Sequence, residues 1–299
     1  MGSILLGAAA LGVLWSVMTI GVLISYRVLD IADLSAEGSI VLGASVAAVI
    51  IDQGGNPFLA TGAAMLAGLL AGGITGFLHT KLKIPALLSG ILCMIALYSI
   101  NIRVMLGSAN IPLLRKTTVY TGLMDIGMNN NTATLVVGLV CAALVICIIY
   151  WFFGTEIGSS IRATGNNAEM AQAQGINTNT AKVIGLVISN GLISLSGALI
   201  AQNQGFSDVG MGTGAIVIGL ASLIIGEALF ARRSFMRTLI AMVLGAVTYR
   251  LVIALVLRAG MRPTDLKLFT AITVALALCL PNVKKMLGGA RFAKNGKSA

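Results

Sequence analysis

Long apolar stretches alternate with short polar ones along this chain, and that alternation leaves few folds open. The apolar segments lie near 4–26, 38–52, 57–79, 84–106, 132–153, 182–203, 214–230, 236–257 and 266–281, about eight spans and a shorter C-terminal one. A run of about 20 apolar residues is the length that crosses the hydrocarbon core of a bilayer as a helix. Inside lipid only helices and closed barrels satisfy every backbone group. A barrel needs short alternating segments, and these runs do not alternate. Charged residues are only 10% of the chain and hydrophobic ones 57%, against about 25% charged in soluble domains. The expectation is an all-α, polytopic transmembrane helical bundle forming a single domain over residues 1–299. Met1–Tyr26 has neither a basic leader nor a small-residue cleavage site, so it reads as the first membrane helix.

The net charge of +10 does not point to nucleic acid, because the basic residues sit at the ends of apolar segments. With 155–181 placed in the cytoplasm, one face collects Arg27, Lys81, Lys83, Arg162, Lys182, Arg232, Arg233, Arg237 and the five basic residues of the tail 282–299. The other face collects Arg115, Lys116, Arg258, Arg262 and Lys267. Cytoplasmic loops carry the excess of Lys and Arg, so this orientation puts the N-terminus outside and the tail inside. The four cysteines, Cys93, Cys141, Cys147 and Cys279, lie inside apolar runs without metal-ligand spacing and read as packing residues. His79, the one histidine, reads as interfacial.

Two segments resemble each other. Asp33–Ser45 aligns with Val209–Ala221 so that Gly38 falls on Gly214, Ile40 on Ile216, Val41 on Val217 and Gly43 on Gly219. Five spans separate the copies, so they enter the membrane from opposite faces, as inverted repeats of transporters do. Each begins with a polar or Gly-rich stretch running into an apolar helix, and irregular backbone at membrane depth is tolerated only beside protein or water. Asp33, Ser35, Glu37 and Gly38 in one copy, and Asp208, Gly210, Gly212 and Gly214 in the other, are therefore candidates to line a solute path. Gly68, Gly72 and Gly76 form overlapping GxxxG units, a close-packing helix face.

The longest polar run inside the apolar chain is Thr155–Lys182. Asn166 is placed to cap a short helix with Glu169 at its third position, and Gly175 to end it, giving a helix over about 167–174. Thr178 or Asn179 is placed to cap the membrane helix that follows. Ile157 and Ile161 share a face upstream. Such a helix suits either a cleft on another protein or a bed of lipid headgroups, and the residues alone leave both open.

Gly158-Ser-Ser-Ile161-Arg162-Ala163-Thr164-Gly165-Asn166-Asn167-Ala168-Glu169-Met170-Ala171, continuing to Gly175-Ile176-Asn177, resembles the cytoplasmic loop of bacterial ATP-binding-cassette (ABC) importer permeases of the branched-chain amino acid and ribose type. Gly191–Ala198, Gly212–Gly226 and the Asp-Leu-Ser of 33–35 fit the same pattern, and the resemblance covers about Arg27 to Leu280. It implies an inner-membrane permease that performs no bond chemistry and acts as a homodimer. Two ATPase subunits on the cytoplasmic side would bind ATP and Mg, with no cofactor in this chain. A solute-binding protein would sit outside. Ile161 to Ala171, with Gly175, would form the coupling segment that docks on the ATPase. The cargo implied is an amino acid, with a sugar or nucleoside as the other candidates. Leu29-Asp30-Ile31-Ala32 departs from the Gly-Gly-Ile of sugar permeases, and Tyr26–Leu34 is closer to a subgroup associated with aromatic or other amino acids. The alternative is a stand-alone secondary transporter or channel.

The tail ends Gly296-Lys297-Ser298, but the glycine a phosphate loop needs five residues earlier is Arg291. The tail fits anionic lipid or orientation instead. Ionisable residues inside spans are functional candidates by default. Here these are Arg103 and Arg250, which read as snorkelling or structural, and Glu227, placed to pair with Arg232 or Arg233.

Overall fold

The computed structural model describes residues 2–229, 234–260, 265 and 268–272. Along the chain run α1 (Gly2–Val22, extended by a π-helical turn Leu23–Val28), α2 (Ser35–Asp52), α3 (Pro57–Thr80), α4 (Ala86–Val104), β1 (Asn110–Pro112), α5 (Thr121–Asp125) and α6 (Asn130–Phe153). Then follow α7 (Glu156–Asn166), α8 (Ala168–Ala173), α9 (Thr178–Gln204), β2 (Phe206–Asp208), a 3-10 turn Val209–Gly212, α10 (Ala215–Leu229) and α11 (Phe235–Arg258). Eight of these helical stretches are long and apolar enough to cross a membrane. They coincide with the eight full-length apolar segments of the sequence. Most of the expected ninth, 266–281, lies outside the described residues.

Helix α9 is the hub. It packs against α1, α2 and α3 and, at its start, against α7 and α8. Its sequence is moderately apolar, yet Ser189, Asn190, Ser194 and Ser196 on it are fully buried. Each hydroxyl bonds a carbonyl of a neighbouring helix. Ser189 Oγ donates to Gly21 O at 2.8 Å, Ser194 Oγ to Ala64 O at 2.7 Å and Ser196 Oγ to Leu14 O at 2.8 Å. Hydrogen bonds of this kind between membrane helices are worth about 0.6 kcal/mol each on average, so they act together with close packing. The close packing is supplied by the glycine stripe of α3. A Cβ on Gly68 would lie 2.5 Å from Asn190 O, and one on Gly72 would lie 2.3 Å from Leu186 O. Gly76 faces Val183 in the same way.

These contacts fix the direction of each helix. α3 and α9 are antiparallel, as are α1 and α9, where Leu14 meets Ser196 and Gly21 meets Ser189. α2 runs with α9, since Ser39 meets Asn190 and Gly197 sits under the carbonyl of Ile40. α10 runs with α1, because Gly219 packs on Val22 and Glu227 reaches Arg27. One end of the bundle carries α7 and α8, and the other the antiparallel β1–β2 pair, with Asn110 opposite Asp208. Arg27, Lys81, Arg162 and Lys182 fall at or next to the α7–α8 end. Lys116 falls at the β end, where its Nζ lies 3.2 Å from Asp52 Oδ1.

The repeat is visible as geometry. Asn190 lies near the middle of α9, and Ser35 and Ser39 meet it there, so α2 starts at about mid-depth. α10 starts beside it, with Gly214 N–H donating to Glu37 Oε1 at 3.0 Å. From that meeting point α2 and α10 leave in opposite directions. The local match is looser than the alignment implies. Gly38 lies a turn inside α2, whereas Gly214 precedes α10 in the left-handed region at φ +81°. The copies share placement, and their helix starts are built differently.

His79 sits at the turn after α3, its Nδ1 2.9 Å from Ile84 O, as an interfacial residue would. Arg103 is exposed at the end of α4. Arg250 stacks its guanidinium 4.3 Å from the Trp15 ring centre, a structural contact between α11 and α1. Glu227 meets Arg27 at 3.4 Å across α10 and α1, while the partners expected from sequence, Arg232 and Arg233, lie outside the described residues, as does Cys279.

Replacing Gly72 by Val should force α3 off α9, since overpacking costs about 1–3 kcal/mol even where side chains can shift, and here the obstacle is backbone. The detergent-purified Gly72→Val protein is expected to unfold at lower temperature than the unmodified chain. Gly62→Val on the same helix, with nothing within 4 Å of its Cβ position, should leave the transition in place.

Candidate functional sites

The first site is the polar segment at the α7–α8 end. Thr155 starts α7 with its side chain toward Gly158 N–H, and α7 runs unbroken to Asn166. The cap of the second helix is therefore Asn167, not Asn166. Its φ of −158° ends α7, and its Oδ1 accepts from Met170 N–H at 2.9 Å to open α8. Asn166 remains helical because α7 is already formed through it, which the sequence signals around Asn166 did not show. Gly175 ends α8 at φ +83°, as expected. The next helix is capped by Asn177, one residue before the earlier of the two expected caps, through Thr180 N–H at 3.2 Å.

The expected coupling residues divide by environment. Ile161, Thr164 and Ala171 are buried. Gly165 presses on the end of the π turn, where an added Cβ would collide with Val28 O. These residues fasten the segment to α1 and α9. Arg162 is also tied down, its Nη2 donating to Phe153 O at 2.8 Å and its guanidinium lying over Phe235. Asn166, Asn167, Glu169 and Met170 face outward, with Ala163 and Ala168 half-covered. Met170 is 60% exposed, an apolar knob on a polar ridge.

The second site is the mid-depth junction where α2 and α10 begin. Asp33 is 2% exposed and satisfied entirely by protein. Its Oδ1 accepts from the Ser35 amide at 2.9 Å and the Ser35 hydroxyl at 2.6 Å, which caps α2. Its Oδ2 accepts from Asn190 Nδ2 at 2.7 Å, and Asn190 Oδ1 accepts from Ser39 Oγ at 2.6 Å. Gly90 of α4 closes over it, with room for no Cβ beside Leu34 N. Asp33 and Ser35 thus lie behind the wall as a brace. A buried carboxylate is tolerated only with such partners.

In front of the wall is a cavity of about 460 Å³ whose lining includes Glu37, Gly38, Tyr98, Asn101, Gly212 and Thr213. Glu37 is its one charged lining residue among the described residues. Asn101 Nδ2 donates to Gly38 O at 3.2 Å, and Tyr98 is exposed on α4. Of the eight expected path residues, Glu37, Gly38 and Gly212 line this space, and Gly214 reaches it through Glu37. Asp208 and Gly210 lie at the β end instead, where Asp208 Oδ1 accepts from Gly210 N–H at 2.7 Å. α4 contributes Tyr98 and Asn101, which sequence reasoning missed. Neither belongs to a repeat copy, and an Asn within an apolar span was the available signal.

Helices crossing in both senses, α2 and α10 meeting at their starts and a cavity beside that meeting are what a membrane permease requires. A family model described as the branched-chain amino acid transport system permease component matches residues 4–279. The chain belongs to that family of ABC-transporter permeases, multi-pass proteins of the bacterial inner membrane, and is a transporter component rather than an enzyme. It is 42% identical over 268 residues to a tyrosine transport system permease protein of Clostridioides difficile (strain R20291), covering 90% of this chain and 88% of that one. The ribose import permease protein of Escherichia coli (strain K12) is 26% identical over 65% of this chain and 60% of its own. No solved structure matches.

Removing Asn190 would strand Asp33 Oδ2 and the Ser39 hydroxyl, at about 1–3 kcal/mol for each buried group left without a partner. Asn190→Leu is expected to lower the unfolding temperature far more than Ser196→Ala, which loses a single hydrogen bond, when both are followed by thermal denaturation in detergent.

Proposed function

We propose that this chain is the pore-forming subunit of an ABC importer for an amino acid, energised by a separate ATPase that docks on α7 and α8. Family membership supports the importer, and similarity over nine-tenths of the chain to a permease named for tyrosine transport supports the cargo class. Ribose permeases also match, over less of the chain and at lower identity, so an amino acid is the better reading. A solute-binding protein delivers the cargo at the β end, and two copies of the chain flank the path.

The observation that carries the mechanism is how α7 and α8 are attached. Gly165 bears on Val28, and α7 packs on α9. α1 and α9 both lead from there to the Asp33–Asn190 brace. A push from a closing ATPase dimer therefore reaches the junction of α2 and α10 through packed backbone. Glu37, the charged group on the cavity wall among the described residues, meets the ammonium group of the passing amino acid.

Two variants test the two halves. Met170→Asp places a charge on the exposed knob without touching the interior, so it should abolish both ATPase co-purification and ATP-driven uptake in proteoliposomes while the unfolding temperature stays unchanged. Ala171→Asp buries the charge and should unfold the segment instead. Retained ATPase association in Met170→Asp would refute the docking assignment. Glu37→Gln is expected to reduce uptake at least tenfold with association intact, and unaltered uptake would remove Glu37 from the path.

A further inference from the structure

The outer surface of the bundle carries a deep apolar cleft that the transport reading does not use. α3 packs on α9 and α6 packs on α1, which leaves α9 uncovered between α3 and α6. The cleft there has a volume of about 520 Å³. Its floor is Ile188 and Leu195 of α9, one wall is Met65 of α3, and the other is Leu144 of α6. The loop before α5 roofs it at the β end. Val119 N–H donates to Gln202 Oε1 at 3.0 Å, and Tyr120 OH donates to Leu199 O at 3.0 Å. The polar group on the wall, Thr61, is already engaged, donating to Pro57 O at 2.8 Å and accepting from Gln202 Nε2 at 2.9 Å.

Length and lining decide the occupant. The α6 wall runs from Val137 to Phe152, about 22 Å at 1.5 Å per residue. Over that length the lining is apolar and the Thr61 hydroxyl is already bonded, so the cleft matches an extended hydrocarbon chain, which brings no polar group that would need a partner. At Leu69 the cleft joins a second apolar hollow that continues down α3 to Phe77. Lys81 follows at the end of α3, and Lys182 stands just past the first turn of α9. The closed end is thus at the β side, and the open end leads to two cationic side chains.

We infer that this cleft binds the acyl chain of an anionic phospholipid from the leaflet on the α7–α8 side, with its phosphate against Lys81 and Lys182. The lipid replaces the missing helix contact over α9.

The full chain, reconstituted in phosphatidylethanolamine with phosphatidylglycerol and re-extracted in mild detergent, tests this by native mass spectrometry. One phospholipid retained per chain is expected, with phosphatidylglycerol enriched several-fold over its bulk share. Ile188→Phe combined with Leu195→Phe should fill the cleft and cut retention at least tenfold. Leu144→Trp, a substitution on the exposed lip, should do the same without disturbing the core. Leu88→Phe, on the exposed face of α4, should leave retention unchanged. Lys81→Gln with Lys182→Gln should abolish the phosphatidylglycerol enrichment while a lipid is still retained. No retained phospholipid, or equal retention in the unmodified and filled proteins, overturns the proposal. Enrichment that survives loss of both lysines overturns the headgroup assignment.

Discussion

A carboxylate buried among membrane helices has to find all its partners in the protein, and the bond between Asp33 and Asn190 meets that requirement. It fixes where α2 begins, because Ser35 and Ser39 are drawn to the same asparagine. It fixes the depth of α2 against α9, and through Glu37 and Gly214 the depth of α10 as well. The serines of α9 and the glycines of α3 then hold α1 and α3 to the same helix. Water offers no competition at this depth, and lipid offers no partner. The polar face of α9 therefore selects one arrangement of helices whose outer surfaces would tolerate many.

The bundle was legible because the hydrocarbon thickness imposes one length on every span, and the eight full-length segments and the α3 glycine face follow from that. The α7–α8 segment was legible as two caps and a terminating glycine, but the cap of α8 fell one residue late. A run of Thr-Gly-Asn-Asn offers two asparagines, and only the packing of Gly165 on Val28 shows that α7 persists through the first of them. At the junction the candidate residues were found by repeat symmetry, which selects by position in the chain. Symmetry cannot separate Asp33, turned into the brace, from Glu37, turned into the cavity four residues later. That distinction depends on which side α9 and α4 take, a long-range fact. Tyr98 and Asn101 were missed for the same reason, since α4 belongs to neither copy.

The two sites differ in how they hold their charged and exposed groups. At the α7–α8 end a few buried residues serve as fasteners and the exposed ones outnumber them. At the junction one carboxylate is spent on structure and its neighbour stands at a cavity wall. α1, through its π-helical turn, and α9 span the distance between them.

The meeting of α2 and α10 has an electrostatic consequence. Each helix start carries the equivalent of roughly half a positive charge, and at this junction two such starts converge beside the cavity. Left alone they would make the centre of the molecule a trap for anions. Asp33 accepts from the backbone of one start from behind, and Glu37 accepts from the backbone at the other from the cavity side. Among the described residues Glu37 is the charged group on that cavity wall, so on the proposed path a change at that position would alter charge preference more than shape.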